Sequence, residues 1–279
     1  MASGKIIDRY MDAGKEPVKT LTPIHGYEKS ELVSLDKAVA EIKPPIEKLT
    51  EMLWIAKRNA RKPKDNLTID ESASIHLFTS EWPGGFPNIY SLLNEKLRSE
   101  KREELKSWFA YLKLFLTALH KLPSLKKTIW RGIHGNVNDL YEEDFIWWGL
   151  SSCTETMNII ERFIGRTAVR TIFMIECING KAIKSHSCHE DENEIILMPG
   201  TYLRVIDKWS PADNLHMIHL QEETPPVQLV ASPFTTSSSS VEIPSLNNLT
   251  ISESSLPQHQ ATTIQSNGKS STLSYFKNV

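Results

Sequence analysis

Residues 105–133 read LKSWFAYLKLFLTALHKLPSLKKTIWRGI, and the hydrophobic period changes inside them. Leu105, Trp108, Phe109, Leu112, Leu116 and Leu119 recur at helical spacing, so one stripe of a helix over 101–122 faces a core. Pro123 stops that helix, because its ring removes an N–H and crowds the preceding turn. Just beyond it, 128–133 is short and rich in β-branched and aromatic residues, the composition of a strand.

Outward from this switch the two sides keep their character. Upstream, Ile46, Leu49, Leu53, Ala56 and Ala60 share a helical face after Pro44 and Pro45. A second helix is expected from about Asp70, and Ile89, Leu92, Leu93 and Leu97 make a third over 88–97. Downstream, 145–151 (FIWWGLS), 169–176, 194–198, 202–206 and 215–220 read as strands, with one helix over 155–164. Helices followed by strands predict an α+β fold, an N-terminal helical half packed on a mixed or antiparallel sheet. From Ala231 the composition shifts: 19 of the last 49 residues are Ser or Thr and four are charged, so 231–279 is expected to be a disordered tail.

Composition removes several classes of function. The chain has 279 residues, 24% of them charged, with a formal net charge of −2, so it lacks the basic excess of a nucleic-acid binder. No apolar run approaches the ~20 residues of a membrane span. The first 16 residues are charged and lack an apolar signal segment, no lipid-attachment tail is visible, and the three cysteines suit reduced thiols. A cytoplasmic location is therefore expected. There is no G-x-G-x-x-G, and Gly268-Lys269-Ser270 lacks the first P-loop glycine because Thr263 stands there. His186, Cys188 and His189 match no zinc spacing, so no metal is expected.

Three pieces of the strand half carry chemistry. Arg131 ends an apolar strand in Trp130-Arg131-Gly132, Ser151 opens Ser151-Ser152-Cys153-Thr154, and Glu192 and Glu194 lead into the run 195–198 before Pro199. Singly, each has a plain reading as an edge charge, a helix cap or a solvated loop end. Together they form a set. Two carboxylates at i and i+2 of an extended segment lie on one face about 7 Å apart, which suits one carboxylate against a sugar and one against a cationic acceptor.

In this order, Arg, Ser and Glu-x-Glu on successive strands, the chain resembles the arginine-specific mono-ADP-ribosyltransferases of the R-S-E class. Residues 129–132 (IWRG) resemble the aromatic-Arg-Gly strand of that family, and 192–199 (ENEIILMP) resemble its E-x-E strand. The helical half, with Tyr-x-x-Leu-Asn at 90–94, is also similar. The family's Ser-Thr-Ser stands here as Ser151-Ser152-Cys153. The resemblance spans about 65–223 and implies three segments: an N-terminal extension over 1–64, a catalytic domain over 65–223 and the tail over 231–279.

It also implies a reaction. ADP-ribose moves from NAD or NADP to an exposed arginine of an acceptor protein, and nicotinamide leaves. By resemblance Glu194 opposes the positive charge that develops on the ribose, and Ser151 orients Glu194. Arg131 holds the pyrophosphate, and Gly132 lets the backbone approach NAD closely. Phe163 stacks on nicotinamide, and Glu192 receives the acceptor guanidinium. An NAD glycohydrolase on the same fold and an inactive binding module remain alternatives.

Overall fold

Among the described residues, five α-helices make up the first half. Helix α1 (Leu35–Ala40) starts at Ser34, whose side chain accepts the Lys37 N–H. Helix α2 (Leu49–Asn59) follows, and α3 (Ile69–Thr79) is entered through a capping box between Thr68 and Glu71. Helix α4 (Ile89–Leu97) is capped by Asn88, and α5 (Phe109–Lys121) closes the half. The computed structural model that shows this describes residues 16–17, 19–165 and 167–234. The helix expected over 101–122 is divided, because Arg102–Trp108 is a 3-10 turn before α5. Residues three apart eclipse in 3-10 geometry, so Leu105 and Trp108 both stay in the core.

The helices bury their apolar stripes in one cluster that includes Ala38, Ala56, Phe78, Tyr90 and Phe115. Trp148, Leu150, Ile183 and Ile196 enter the same cluster from the strand half. Ile24 bridges Val230, Ala231 N–H donates to the Ile24 carbonyl at 2.9 Å, and Lys113 Nζ donates to the Pro233 carbonyl at 2.5 Å. The chain is thus tied to the helical half through Pro233. From residue 235 the expected disordered tail lies outside the described residues.

The second half is a seven-stranded sheet of β1 (Ser124–His134), β2 (Phe145–Trp147), β3 (Ser151–Thr154), β4 (Arg170–Ala182), β5 (Glu194–Leu197), β6 (Thr201–Ala212) and β7 (Leu215–Glu223). The order is β1-β3-β5-β4-β7-β6-β2, with β1 also pairing β4. Only β4 and β7 run parallel among these pairings, so the sheet is mixed and mainly antiparallel.

The stretch expected as one strand over 145–151 is two. Strand β2 pairs with β6, while β3 pairs with β5 and meets β1. Helix α6 (Met157–Ile164) covers one face of β1, where Ile160 and Ile164 join Trp130 and Ile172. Ile129, Trp147, Cys153 and Phe173 pack together in a separate cluster.

Candidate active site

Three strands meet at one row of residues. Trp130 of β1 pairs with Thr154 of β3, and Thr154 pairs with Glu194 of β5. Directly opposed residues point to the same face of a sheet, and residues two apart along a strand share it. Ser152 therefore lies on the Glu194 face, and its Oγ donates to Glu194 Oε1. Ser151 faces the other way and accepts the indole N–H of Trp147 at 2.8 Å. This corrects the expectation that Ser151 orients Glu194: the serine at the carboxylate is Ser152, and strand alternation is the reason.

Arg131, one residue beyond Trp130, points away from that face. Its guanidinium carbon lies 5.9 Å from the centre of the Trp147 ring, and its Nη1 donates to the Ser152 carbonyl at 2.8 Å. Arg131 thus reaches Glu194 through one residue, holding the backbone of the serine whose side chain holds the carboxylate. Arg131, Ser152 and Glu194 are all fully buried.

The two glutamates do not share an extended segment. Glu192 ends a 3-10 turn (Glu190–Glu192), and Asn193 is left-handed at φ +47° before β5 begins at Glu194. The one-face spacing argument for i and i+2 does not apply across such a turn. Glu192 is nevertheless 7% exposed and so close to fully buried. Its carbonyl accepts the Thr154 hydroxyl at 3.1 Å, and His189 Nδ1 lies 3.8 Å from its Oε1. Lys184 Nζ donates to Asn193 Oδ1 at 2.8 Å and braces the turn.

The corner between β2 and β3 aims the serines. Asn94 of α4 is buried and acts there as a short piece of strand. Its Oδ1 accepts the Leu150 N–H at 2.7 Å and its Nδ2 donates to the Leu150 carbonyl at 2.8 Å. A Cβ on Gly149 would lie 2.4 Å from the Arg98 guanidinium, so glycine is required for Arg98 to cross the corner. Glu16 accepts from Arg98 Nε and from the Trp148 N–H, both at 2.6 Å. Asn94 was visible in sequence only as part of a motif, and nothing local announced its two bonds.

Other expected site residues sit differently. Gly132 is close-packed, but against α6: an added Cβ would lie 2.5 Å from Ile160 Cγ2 and 2.9 Å from Ile164 Cδ1. The close approach seen at Gly132 is that of a helix. The Phe163 side chain lies outside the described residues. Burial pushes the Cys153 thiol up to about 12, against the pull of the Arg131 guanidinium, so Cys153 is a protonated filler. None of Cys153, Cys177 and Cys188 is in a disulfide. Among the described residues, no group of three or more His, Cys, Asp or Glu is arranged to hold a metal ion, and no helix is long and apolar enough to cross a membrane.

Residues 27–225 match the profile of the NAD:arginine ADP-ribosyltransferases, which takes in the helical half, β1, β3 and β5. The chain belongs to that family. As an ADP-ribosyltransferase it uses NAD as substrate, and the family match reaches further upstream than the 65–223 over which the motifs were read.

Among solved structures, the transferase resembles the type III effector XopAI from Xanthomonas axonopodis pv. citri. That chain is 16% identical, with 71% of this chain and 87% of that one covered and a TM-score of 0.51. The ADP-ribosyltransferase HopU1 of Pseudomonas syringae pv. Tomato is also 16% identical, with 68% and 88% covered and a TM-score of 0.45. The likeness to XopAI is one of fold. Comparison with curated protein sequences finds no match.

Proposed function

We propose that this transferase moves ADP-ribose from NAD to arginine side chains of an acceptor protein. The observation that carries the reading is Glu194, fully buried with a hydroxyl donor on each carboxylate oxygen, Ser152 on Oε1 and Ser187 on Oε2. A carboxylate held at both oxygens keeps one orientation, the condition for opposing charge that develops at one place. The donor set also fits NAD in kind, since a carboxylate suits ribose hydroxyls and a guanidinium suits phosphate oxygens.

When bound, NAD supplies an ADP-ribosyl group on a bond to nicotinamide that breaks with positive charge growing on the ribose. Glu194 stabilises that charge more than the ground state. Ser152 takes the orienting role first given to Ser151. Arg131 fixes Ser152 through its carbonyl, and we assign the same guanidinium to the phosphate side of NAD. Glu192 receives the acceptor guanidinium and takes its proton. The family's description as NAD:arginine transferases supports this choice of acceptor, as does a second near-buried carboxylate two residues from Glu194.

The test is nicotinamide release and agmatine labelling measured side by side. Glu194→Gln should lower both by roughly 10²-fold or more, the scale of one lost electrostatic stabiliser. Glu192→Gln should abolish labelling while slow nicotinamide release persists. Equal loss of both activities in Glu192→Gln removes that residue from acceptor recognition. Release without labelling in the unaltered protein means a glycohydrolase, and neither activity means a binding module.

A further inference from the structure

The loop before Glu192 is built with more polar order than a connection needs. His186 has a fully buried side chain with both ring nitrogens engaged. Its Nε2 lies 3.1 Å from Asp65 Oδ2, and its Nδ1 lies 2.9 Å from Ser72 Oγ on α3. A carboxylate only accepts, so Nε2 carries the hydrogen toward Asp65. Two residues on, the Cys188 N–H donates to Thr79 Oγ1 at 2.8 Å. Ser72 and Thr79 are seven residues apart, two turns along one face of α3. The loop is thus pinned to the helical half at two points.

Ser187 lies between those pins. It is 6% exposed, and its hydroxyl is committed on both sides. Oγ donates to Glu194 Oε2 at 2.9 Å and accepts the His189 N–H at 3.1 Å. A hydroxyl has one hydrogen, and the backbone donor at His189 leaves that hydrogen to the carboxylate. Nothing in the sequence marked Ser187, and neither Arg131 nor Ser152 can replace it, because Ser152 holds the other oxygen.

We infer that Ser187 is a positioning residue for Glu194, carried by a loop that the Asp65, His186 and Ser72 contacts hold against α3. Two hydroxyls from different elements then clamp one carboxylate, Ser152 from the sheet and Ser187 from the loop. The inference rests on the proposed role of Glu194 in ADP-ribosyl transfer. Its consequence is that the helical half acts on the orientation of Glu194 through this loop.

The experiment compares Ser187→Ala, Ser187→Cys and Ser187→Thr with the unaltered full chain. Nicotinamide release gives kcat and KM, and thermal melting identifies any variant that fails to fold. Ala and Cys should lose about tenfold in kcat with KM for NAD unchanged, the scale of a lost hydrogen bond to a charged group. Thr, which keeps the hydroxyl, should restore kcat. Unchanged kcat in a folded Ala or Cys variant overturns the inference, as does a loss confined to KM or an equal loss in a folded Thr variant.

Infrared difference spectroscopy needs no turnover. The carboxylate band of Glu194, isolated against Glu194→Gln, should move in whichever of Ser187→Ala and Ser187→Cys is folded. A band that stays in place overturns the role of Ser187. A shifted band in a protein that never releases nicotinamide overturns the proposed function and leaves the hydroxyl clamp standing.

Discussion

Two adjacent serines should fail in opposite ways. Ser152→Ala removes the O–H donor to Glu194 Oε1 and leaves the packing of β3 almost unchanged. A hydrogen bond to a charged group is worth about 1.5–3 kcal/mol. At 1.36 kcal/mol per tenfold, kcat for nicotinamide release should fall roughly 10- to 150-fold if that bond serves the transition state. Ser151→Ala instead deprives the buried Trp147 indole N–H of its acceptor at 2.8 Å. An orphaned buried donor costs about 1–3 kcal/mol, a large part of a typical 5–15 kcal/mol stability. For a folded unit of about 200 residues that lowers the melting temperature by roughly 2–12 °C. Ser151→Ala should therefore melt early and keep its kcat, while Ser152→Ala, whatever stability it loses by leaving Glu194 Oε1 without that donor, loses kcat in the folded protein. The assay is urea and thermal unfolding beside steady-state nicotinamide release on the same preparations. If Ser151→Ala lost turnover at least as strongly as Ser152→Ala while melting normally, the strand-parity argument would be wrong.

Asn94→Ala should cost about 2–6 kcal/mol by urea unfolding, because the buried N–H and C=O of Leu150 both lose their partner; a cost below about 1 kcal/mol would mean the corner closes without it. Gly132→Ala should cost about 1–3 kcal/mol through the clash with Ile160 and Ile164, and its combination with Ile160→Ala should be more stable than the two single losses summed. Stability should also fall in mild acid. Burial lowers the pKa of His76 below 6.5, helped by His189, and burial lowers that of His120, helped by Lys181. The unfolded chain then binds the more protons, so stability present above about pH 6.5 is lost as pH falls through and below it. A urea midpoint that stayed constant or rose from about pH 7 to about pH 5 would contradict this.

Helices and strands were readable because their signals are local. The stripe from Leu105 to Leu119 declares a helical period and the run around Ile129 a strand composition, each within a dozen residues, and Pro123 separates them. The order of the halves then left few architectures. Strand lengths were less readable, since the far end of β4 is held by pairing with β1 and β5 and the far end of β6 by its hairpin with β7, not by an apolar composition of its own. At the site, Arg131, Glu192 and Glu194 could be singled out as charges beside apolar runs only because they occur together in one order.

The choice between Ser151 and Ser152 could not be made that way. A period of two says that neighbours face opposite sides and leaves open which side holds the carboxylate. That was decided by the pairing of Thr154 with Glu194, forty residues apart. Asn193 hid a left-handed turn that takes Glu192 out of the strand, and Gly132 hid the approach of α6. The bonds of Asn94 and the place of Ser187 were hidden for the same reason, because a polar side chain has no periodic signature and its partners come from other elements. By itself the sequence determined where chain direction and apolar faces change, since those depend on near neighbours. Only the tertiary structure decided which hydroxyls meet Glu194, since hydrogen bonds act over about 3 Å between segments that folding alone brings together.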